Sequence, residues 1–324
     1  MSGIQHRELD VNGIRMHIAE QGSGPLVVLC HGWPEIWYSW RHQLPALAER
    51  GFHVVAPDMR GYGSTDAPEA VDAYTLLHLV GDITGLVTAL GEQHAVLIGH
   101  DWGAPVVWNA ATMRPDMFTA VVGMGVPHRA RSPLPPLRML REAGRTDYYW
   151  FHFQPPGVAE AEFERDVDTA LRKLLYGVPG PQVDREHPLD VPRGGGFLDR
   201  LVLPPQTPAW LREKDIERLA GEFRRTGFRG GFNWYRNLDR NWELTAAWAD
   251  VQVRQPALFI AGSRDPFIAG RRGAAMLKHM EDVVPGVRTQ LIEGAGHWVQ
   301  QEEPERVNQA LLDFLLPLHR SRLH

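Results

Sequence analysis

The stretch Gly99-His100-Asp101-Trp102-Gly103 decides how the rest of the chain is read. Its spacing is that of a nucleophile elbow, G-x-Nuc-x-G, in which a strand turns sharply into a helix and presents the central side chain. The text on either side agrees. Residues 94–98 (His-Ala-Val-Leu-Ile) form an apolar run suited to a buried parallel strand, and residues 104–113 suit a helix. The central residue, however, is a carboxylate where serine is usual. Serine attacks acyl carbon and makes an ester that water can cleave. At saturated carbon serine would make an ether, which such a site has no means to hydrolyse. A carboxylate makes an alkyl ester there, and that ester can be hydrolysed at its carbonyl. Asp101 therefore points to substrates that alkylate, either strained epoxides or alkyl halides.

Outward from the elbow, the same strand-then-helix alternation repeats. Residues 9–20 alternate around Asn12-Gly13, the signature of a hairpin with a type I′ turn. Buried-strand runs are expected at 25–30, 52–56 and 119–124, and helices at 40–50 and 76–90. The pattern breaks at the Pro- and Arg-rich stretch 127–136. Text up to about 237 is helical or irregular, with a Pro/Gly-rich loop at 188–208. Gly194-Gly195-Gly196 in that loop has no preceding strand and no following Lys-Ser/Thr, so it reads as a flexible loop and not a phosphate cradle. Strands resume at 257–261 and 287–292, and a last helix is expected at 304–316. The fold class is α/β: a mostly parallel central sheet flanked by helices, with a helical cap inserted after the fourth buried strand. The expected segments are a core at 1–128, a cap at 129–240 and the rest of the core at 241–324.

Composition limits the function classes. Among 324 residues, 44% are hydrophobic and 23% charged, the balance of a soluble globular protein. The net charge of −5, with basic residues unclustered, gives no support for nucleic-acid binding or an anionic membrane surface. Cys30 is the single cysteine, so no internal disulfide can form, and its place in an apolar run makes it a buried structural thiol. The first ten residues carry no apolar secretory core, and no stretch approaches the ~20 residues of a spanning helix. A cytoplasmic enzyme, monomeric or homodimeric, is the expectation. The fifteen histidines are scattered, with no metal-ligand spacing, so neither metal nor other cofactor is expected.

Asp101, Asp265 and His297 each follow an expected strand, in the chain order nucleophile, acid, histidine. Polar residues just past strand C-terminal ends are where open α/β sheets place their sites. The helix N-terminus at the elbow favours the ionised form of Asp101. His297 would activate water against the ester, and Asp265 would hold the imidazole in the right tautomer. The backbone N–H groups of Trp102 and of Trp33, in the turn His31-Gly32-Trp33-Pro34, would form an oxyanion hole, each donor worth about 3–4 kcal/mol.

At this point the chain resembles the epoxide hydrolases of the α/β-hydrolase fold, of the soluble and microbial kind. The resemblance rests on His31-Gly-Trp-Pro-Glu-Ile-Trp-Tyr-Ser-Trp-Arg41, the elbow, Phe153-Gln-Pro-Pro-Gly-Val-Ala-Glu160, residues 227–237 and Gly296-His-Trp298. It covers nearly the whole chain. It implies two cap tyrosines that protonate the epoxide oxygen. Tyr235 matches one directly. Counting back from Phe153 favours Tyr149 for the other, with Tyr148 adjacent. The chemistry is sound without the family: an alkoxide leaves poorly unless a phenol, protonated at neutral pH, donates to it. The resemblance also marks Trp33, Pro34 and Trp102 as substrate-binding. Glu35 would either position the hydrolytic water or hydrogen-bond His100, the latter read as a structural histidine. The expected substrate is a small apolar epoxide, with water as co-substrate and detoxification as one role. Haloalkane dehalogenases also place Trp after an elbow Asp, so a dehalogenase is the alternative. They need no proton donor, and Tyr235 favours epoxide opening.

Overall fold

The computed structural model describes residues 3–179, His187 and residues 189–320. Pro188, the first residue of the expected 188–208 loop, lies outside the described residues, as do the chain ends of the two expected core segments. The alternating N-terminus forms the hairpin: β1 (Gln5–Val11) pairs antiparallel with β2 (Ile14–Gln21), closing at Val11 and Ile14. Asn12 and Gly13 have φ of 45° and 77°, as a type I′ turn demands. The apolar runs become β3 (Leu26–Cys30), β4 (His53–Pro57), β5 (Ala95–His100) and β6 (Phe118–Met124). Between them lie α1 (Gln43–Ala48), α2 (Leu76–Ala89) and α3 (Gly103–Met113).

The helix expected at 40–50 is shorter than the sequence suggested. Residues Trp37–Trp40 form a 3-10 turn, and α1 begins only at Gln43. Pro45 explains this: without an N–H it fits the first turn of a helix and not its interior.

A run of helices follows β6: α4 (Pro136–Glu142), α5 (Tyr149–His152), α6 (Val158–Glu164) and α7 (Val167–Tyr176). Then β7 (Val178–Pro179) pairs with β8 (Leu201–Val202), a two-residue ribbon that the sequence reading did not anticipate. After it come α8 (Glu213–Thr226), α9 (Arg229–Arg236) and α10 (Leu238–Leu244), the last straddling residue 240. In α8 the apolar stripe Ile216, Leu219, Ala220 and Phe223 is buried, at helical spacing. The chain returns to the sheet with β9 (Ala257–Gly262), α11 (Gly270–Val283), β10 (Arg288–Ile292), α12 (Val299–Glu302) and α13 (Pro304–Arg320). α13 runs past the expected end at 316 and through Pro317. The hydrogen bond that this proline forfeits would fall on the carbonyl of Asp313, an exposed residue.

The eight long strands form one sheet in the order β1-β2-β4-β3-β5-β6-β9-β10. Only the β1–β2 and β2–β4 pairings are antiparallel; the rest are parallel. Alternate residues serve alternate faces. Val28, Cys30, Leu97, Val121 and Phe259 pack with Ile83, Leu86 and Trp108 of α2 and α3. Val27, Leu29, Ile98, Val122 and Ile260 pack with Leu44, Leu47, Leu311 and Leu315 of α1 and α13. Burial on both faces, at about 1.5–3 kcal/mol per large aliphatic side chain, is why these strands read as unbroken apolar runs. Cys30 is fully buried within this core.

Candidate active site

The elbow is a strained turn, and its two glycines are required by contact. Asp101 sits at φ 48°, in the left-handed region. A Cβ on Gly99 would lie 2.2 Å from the Gly103 carbonyl oxygen, and one on Gly103 would lie 2.1 Å from that of Cys30. The turn therefore closes only with glycine at both places. It delivers the carboxylate to the C-terminal edge of β5, beside the turn that follows β3. There the Trp33 N–H donates to Asp101 Oδ1 at 2.8 Å. The Trp33–Pro34 peptide is cis.

The turns after β9 and β10 bring the other two groups to the same place. His297 Nε2 lies 3.4 Å from Asp101 Oδ2, and His297 Nδ1 lies 2.9 Å from Asp265 Oδ2. Asp265 is fully buried, and its other oxygen accepts from the Phe267 N–H at 2.9 Å. A carboxylate only accepts, so the contact with Asp265 places a His297 proton on Nδ1 and turns Nε2 toward Asp101. Burial pushes the Asp101 carboxyl up, but His297, then His100 and the Trp33 N–H, outweigh it and hold the group below its usual range. Burial pulls His297 down, but Asp265 and Asp101 outweigh it and leave the imidazole well above its ordinary value. Both shifts favour the charged pair, carboxylate beside imidazolium.

Glu35 is buried, 1% exposed, and not a surface group. Its Oε2 accepts from the Gly32 N–H at 2.9 Å and meets His100 Nδ1 at 2.8 Å; its Oε1 accepts from Gln300 and Gln301 at 2.9 and 3.2 Å. Of the two roles open to Glu35, hydrogen bonding to His100 is the one in the geometry. His100 Nε2 lies 2.8 Å from the His297 carbonyl. Both ring nitrogens of His100 face acceptors, so it ties the Glu35 turn to the His297 turn.

Opposite Asp101 stand two phenols from the inserted helices. Tyr149 starts α5 and Tyr235 lies in α9; their rings are 5.8 Å apart, and both line the cavity that holds Asp101 and His297. Tyr148 does not line it: its ring packs on Tyr149 at 4.8 Å and under Arg145, and its backbone bridges to Asp190. Burial pushes both cavity phenols well above their ordinary pKa. For Tyr149 the next causes are Tyr148 and Asp101, and for Tyr235 they are Tyr149 and Asp101. Burial therefore favours the protonated phenol at both places. Trp102, at the head of α3, sets its indole edge-on to Tyr235 at 5.1 Å. The Trp33 ring is wedged against Phe153, Phe232 and Tyr235 at 5.4–5.7 Å.

The cavity measures about 580 Å³, and most of its wall is apolar, with Leu174, Phe197, Trp210 and Phe267 among the lining. That is ample for a drug-sized apolar molecule. Sequence reasoning missed Glu302, whose carboxylate accepts from the Gly296 and Trp298 N–H groups at 2.7 and 3.0 Å and so clamps the His297 turn. It also missed Gln300 and Gln301. All three stand just beyond Gly296-His-Trp298, and an acidic residue so soon after a turn is the one local signal for Glu302. Among the described residues no cluster of His, Cys, Asp or Glu has the arrangement of a metal site.

Residues 25–304 match the family model described as the alpha/beta hydrolase fold. The chain is 45% identical to epoxide hydrolase A of Mycobacterium tuberculosis, over 98% of this chain and 99% of that one. It is 41% identical to epoxide hydrolase 2 of Siraitia grosvenorii, over 97% and 99%. Among solved structures it is similar to epoxide hydrolase A from Mycobacterium thermoresistibile, with TM-score 0.91 at 46% identity, covering 97% of this chain and 98% of that one. It is likewise similar to an epoxide hydrolase from an endophytic Streptomyces, with TM-score 0.92 at 44% identity, covering 99% and 97%.

Proposed function

The chain belongs to the epoxide hydrolases of the α/β-hydrolase fold, and from that premise we propose how its own residues open an epoxide to a vicinal diol. Asp101 Oδ2, the oxygen not held by Trp33, attacks one epoxide carbon. A carbon–oxygen bond forms, the ring C–O bond breaks, and the freed oxygen takes a proton from Tyr149 or Tyr235. The product is an ester in which Oδ1 is the carbonyl oxygen, already resting on the Trp33 N–H. Because Asp101 is now neutral, one of the two anions that held the His297 imidazole up is gone. The imidazolium now gives its proton up more readily; that proton restores the phenol ionised in ring opening, and His297 becomes a base in the step that needs one. It takes a proton from water, whose oxygen adds to the ester carbonyl. The oxyanion on Oδ1 is held by the N–H groups of Trp33 and Trp102. Collapse breaks the Cγ–Oδ2 bond; the departing alkoxide takes the proton held by His297, the new Asp101 carboxylic acid returns one to the imidazole, and the diol leaves with the original Oδ2.

One observation carries this reading: two buried phenols face a buried carboxylate across one apolar cavity. A departing halide needs no proton, so the phenols favour epoxide over the haloalkane alternative. Residues 129–240 act as the cap that brings those phenols to the core. The apolar wall suits a small apolar epoxide, and the enzyme works in the cytoplasm without cofactor, as a monomer or homodimer, with detoxification a fitting role. No helix among the described residues is long and apolar enough to cross a membrane. The test is a single turnover in oxygen-18 water. Label should enter Asp101 and be absent from the diol; label appearing directly in the diol would remove the covalent route.

A further inference from the structure

Behind the site runs a polar chain that the reaction itself does not use. Asp215, in the first turn of α8, accepts from the Tyr38 hydroxyl at 2.8 Å and from the Arg212 N–H at 3.0 Å. Its carboxylate also lies 3.9 Å from Nε of Arg41, on the core, and the two side chains are 1% and 7% exposed. Arg41 Nη1 donates to Gln301 Oε1 at 2.7 Å and to the Tyr38 carbonyl at 3.2 Å. Gln301 donates to Glu35, Glu35 meets His100, and His100 meets the His297 carbonyl. Every link after the first is a hydrogen bond.

The first link is loose. Arg41 Nε and Nη2 are buried and have no hydrogen-bond partner among the described residues, an expensive condition for a guanidinium. Burial pulls its pKa down, and Asp215 counters. Beside it lies a small cavity of about 20 Å³, lined by Glu35, Tyr38, Arg41, Leu175, Asp215 and Gln301 among others. That is room for one water. Leu175 is also part of the wall of the catalytic cavity. A shift of α8 by less than 1 Å toward the core would bring Asp215 into hydrogen-bond range of Nε.

We propose that Arg41 is a positioning residue for the ester-hydrolysis step, and that it takes its own position from Asp215 on the inserted helices. The inference rests on the reading of His297 as the water-activating base. Its reach is selective. The chain ends on the His297 turn and, through Glu35 Oε2, on the Gly32 N–H beside the Trp33 oxyanion donor. Both act most directly on ester hydrolysis: in the resting enzyme the Trp33 N–H holds Asp101 Oδ1, while the atom that attacks the epoxide is Oδ2. The phenols that serve ring opening stand on α5 and α9, and no link of the chain passes through either.

Asp215→Asn keeps the shape and the acceptor for the Arg212 N–H and removes the charge; Arg41→Lys keeps the charge and shortens the reach. Quenched single turnovers with styrene oxide, read by the mass of the Asp101 peptide, give the rates of ester formation and ester loss separately. Ester formation should stay within about twofold of wild type while ester loss falls roughly 3- to 30-fold, so that ester accumulates. Arg41→Lys should retain more of the hydrolysis rate than Arg41→Met. If both half-reactions fall by one factor, or neither changes while the melting temperature drops, Arg41 is structural only and the proposal is overturned. If wild-type enzyme never forms the Asp101 ester, it is the reading of the site that fails, and this proposal falls with it.

Discussion

Replacing Tyr235 by Phe removes one oxygen from the cavity wall and leaves the ring. The ring is what packs: it lies 5.7 Å from Trp33, 5.1 Å from Trp102 and 5.1 Å from Phe153, and the residue is 3% exposed. Folding should therefore be little affected, and the loss should fall on the developing alkoxide. A hydrogen bond to a charged group is worth about 1.5–3 kcal/mol. Tyr149 remains, its ring 5.8 Å from that of Tyr235, so the site keeps one of its two donors. At the transition state this amounts to a loss of roughly 10- to 150-fold in the alkylation rate, with ester hydrolysis unchanged. The same indoles supply the assay: Trp33 and Trp102 flank the reacting atoms, so stopped-flow tryptophan fluorescence should report ester formation and decay as separate phases. Tyr149→Phe should behave alike, and the double variant should lose ring opening almost entirely. An alkylation rate in Tyr235→Phe within about twofold of wild type would refute the assignment of the phenol as proton donor.

His297→Gln should still form the ester and then stall. Turnover should fall by about 10²- to 10⁴-fold, with one equivalent of alkylated Asp101 found by mass spectrometry; steady turnover without trapped ester would contradict the role. Gly103→Ala should destabilise the fold by about 1–3 kcal/mol or more, because the new methyl would lie 2.1 Å from the Cys30 carbonyl oxygen; chemical denaturation measures it. The linked titration has definite signs. Asp101, held low, contributes stability that is lost as pH falls through its folded value, and His297, held high, contributes stability that is lost as pH rises through its own. Ester formation should accordingly keep its plateau from neutrality down to at least about pH 5, below which an ordinary carboxylate begins to fail. In Asp101→Asn the His297 imidazole should titrate lower than in wild type, as NMR would show; an unchanged value would mean that Asp101 does not hold its proton in place.

Much of this could be read from the chain because the determinants are local. A strand buried on both faces has to be an apolar run, so residues 25–30 and 119–124 announced themselves. An elbow with φ near 48° at its centre has to be flanked by glycine, so Gly99 and Gly103 did as well. Errors came where a local signal competed with another. Pro45 shortened the helix expected at 40–50, and Pro317 failed to end α13. The ribbon of β7 and β8 is too short to leave a pattern.

The sequence by itself determined the α/β alternation and placed Asp101, Asp265 and His297 in chain order just past strand ends, because each depends on residue type within a few positions of a strand end. It favoured Tyr149 over the adjacent Tyr148 by counting alone, and it left Glu35 with two roles. Those are questions of direction. Neighbouring residues on one short helix point different ways, and only packing against Phe153, Phe197 and Tyr235 turns Tyr149 into the cavity. A carboxylate is silent about its partners, and only the approach of the turn after β3 to the end of β5 gave Glu35 to His100. The link from Asp215 through Arg41 to the histidine joins four distant parts of the chain, and no local pattern could have announced it.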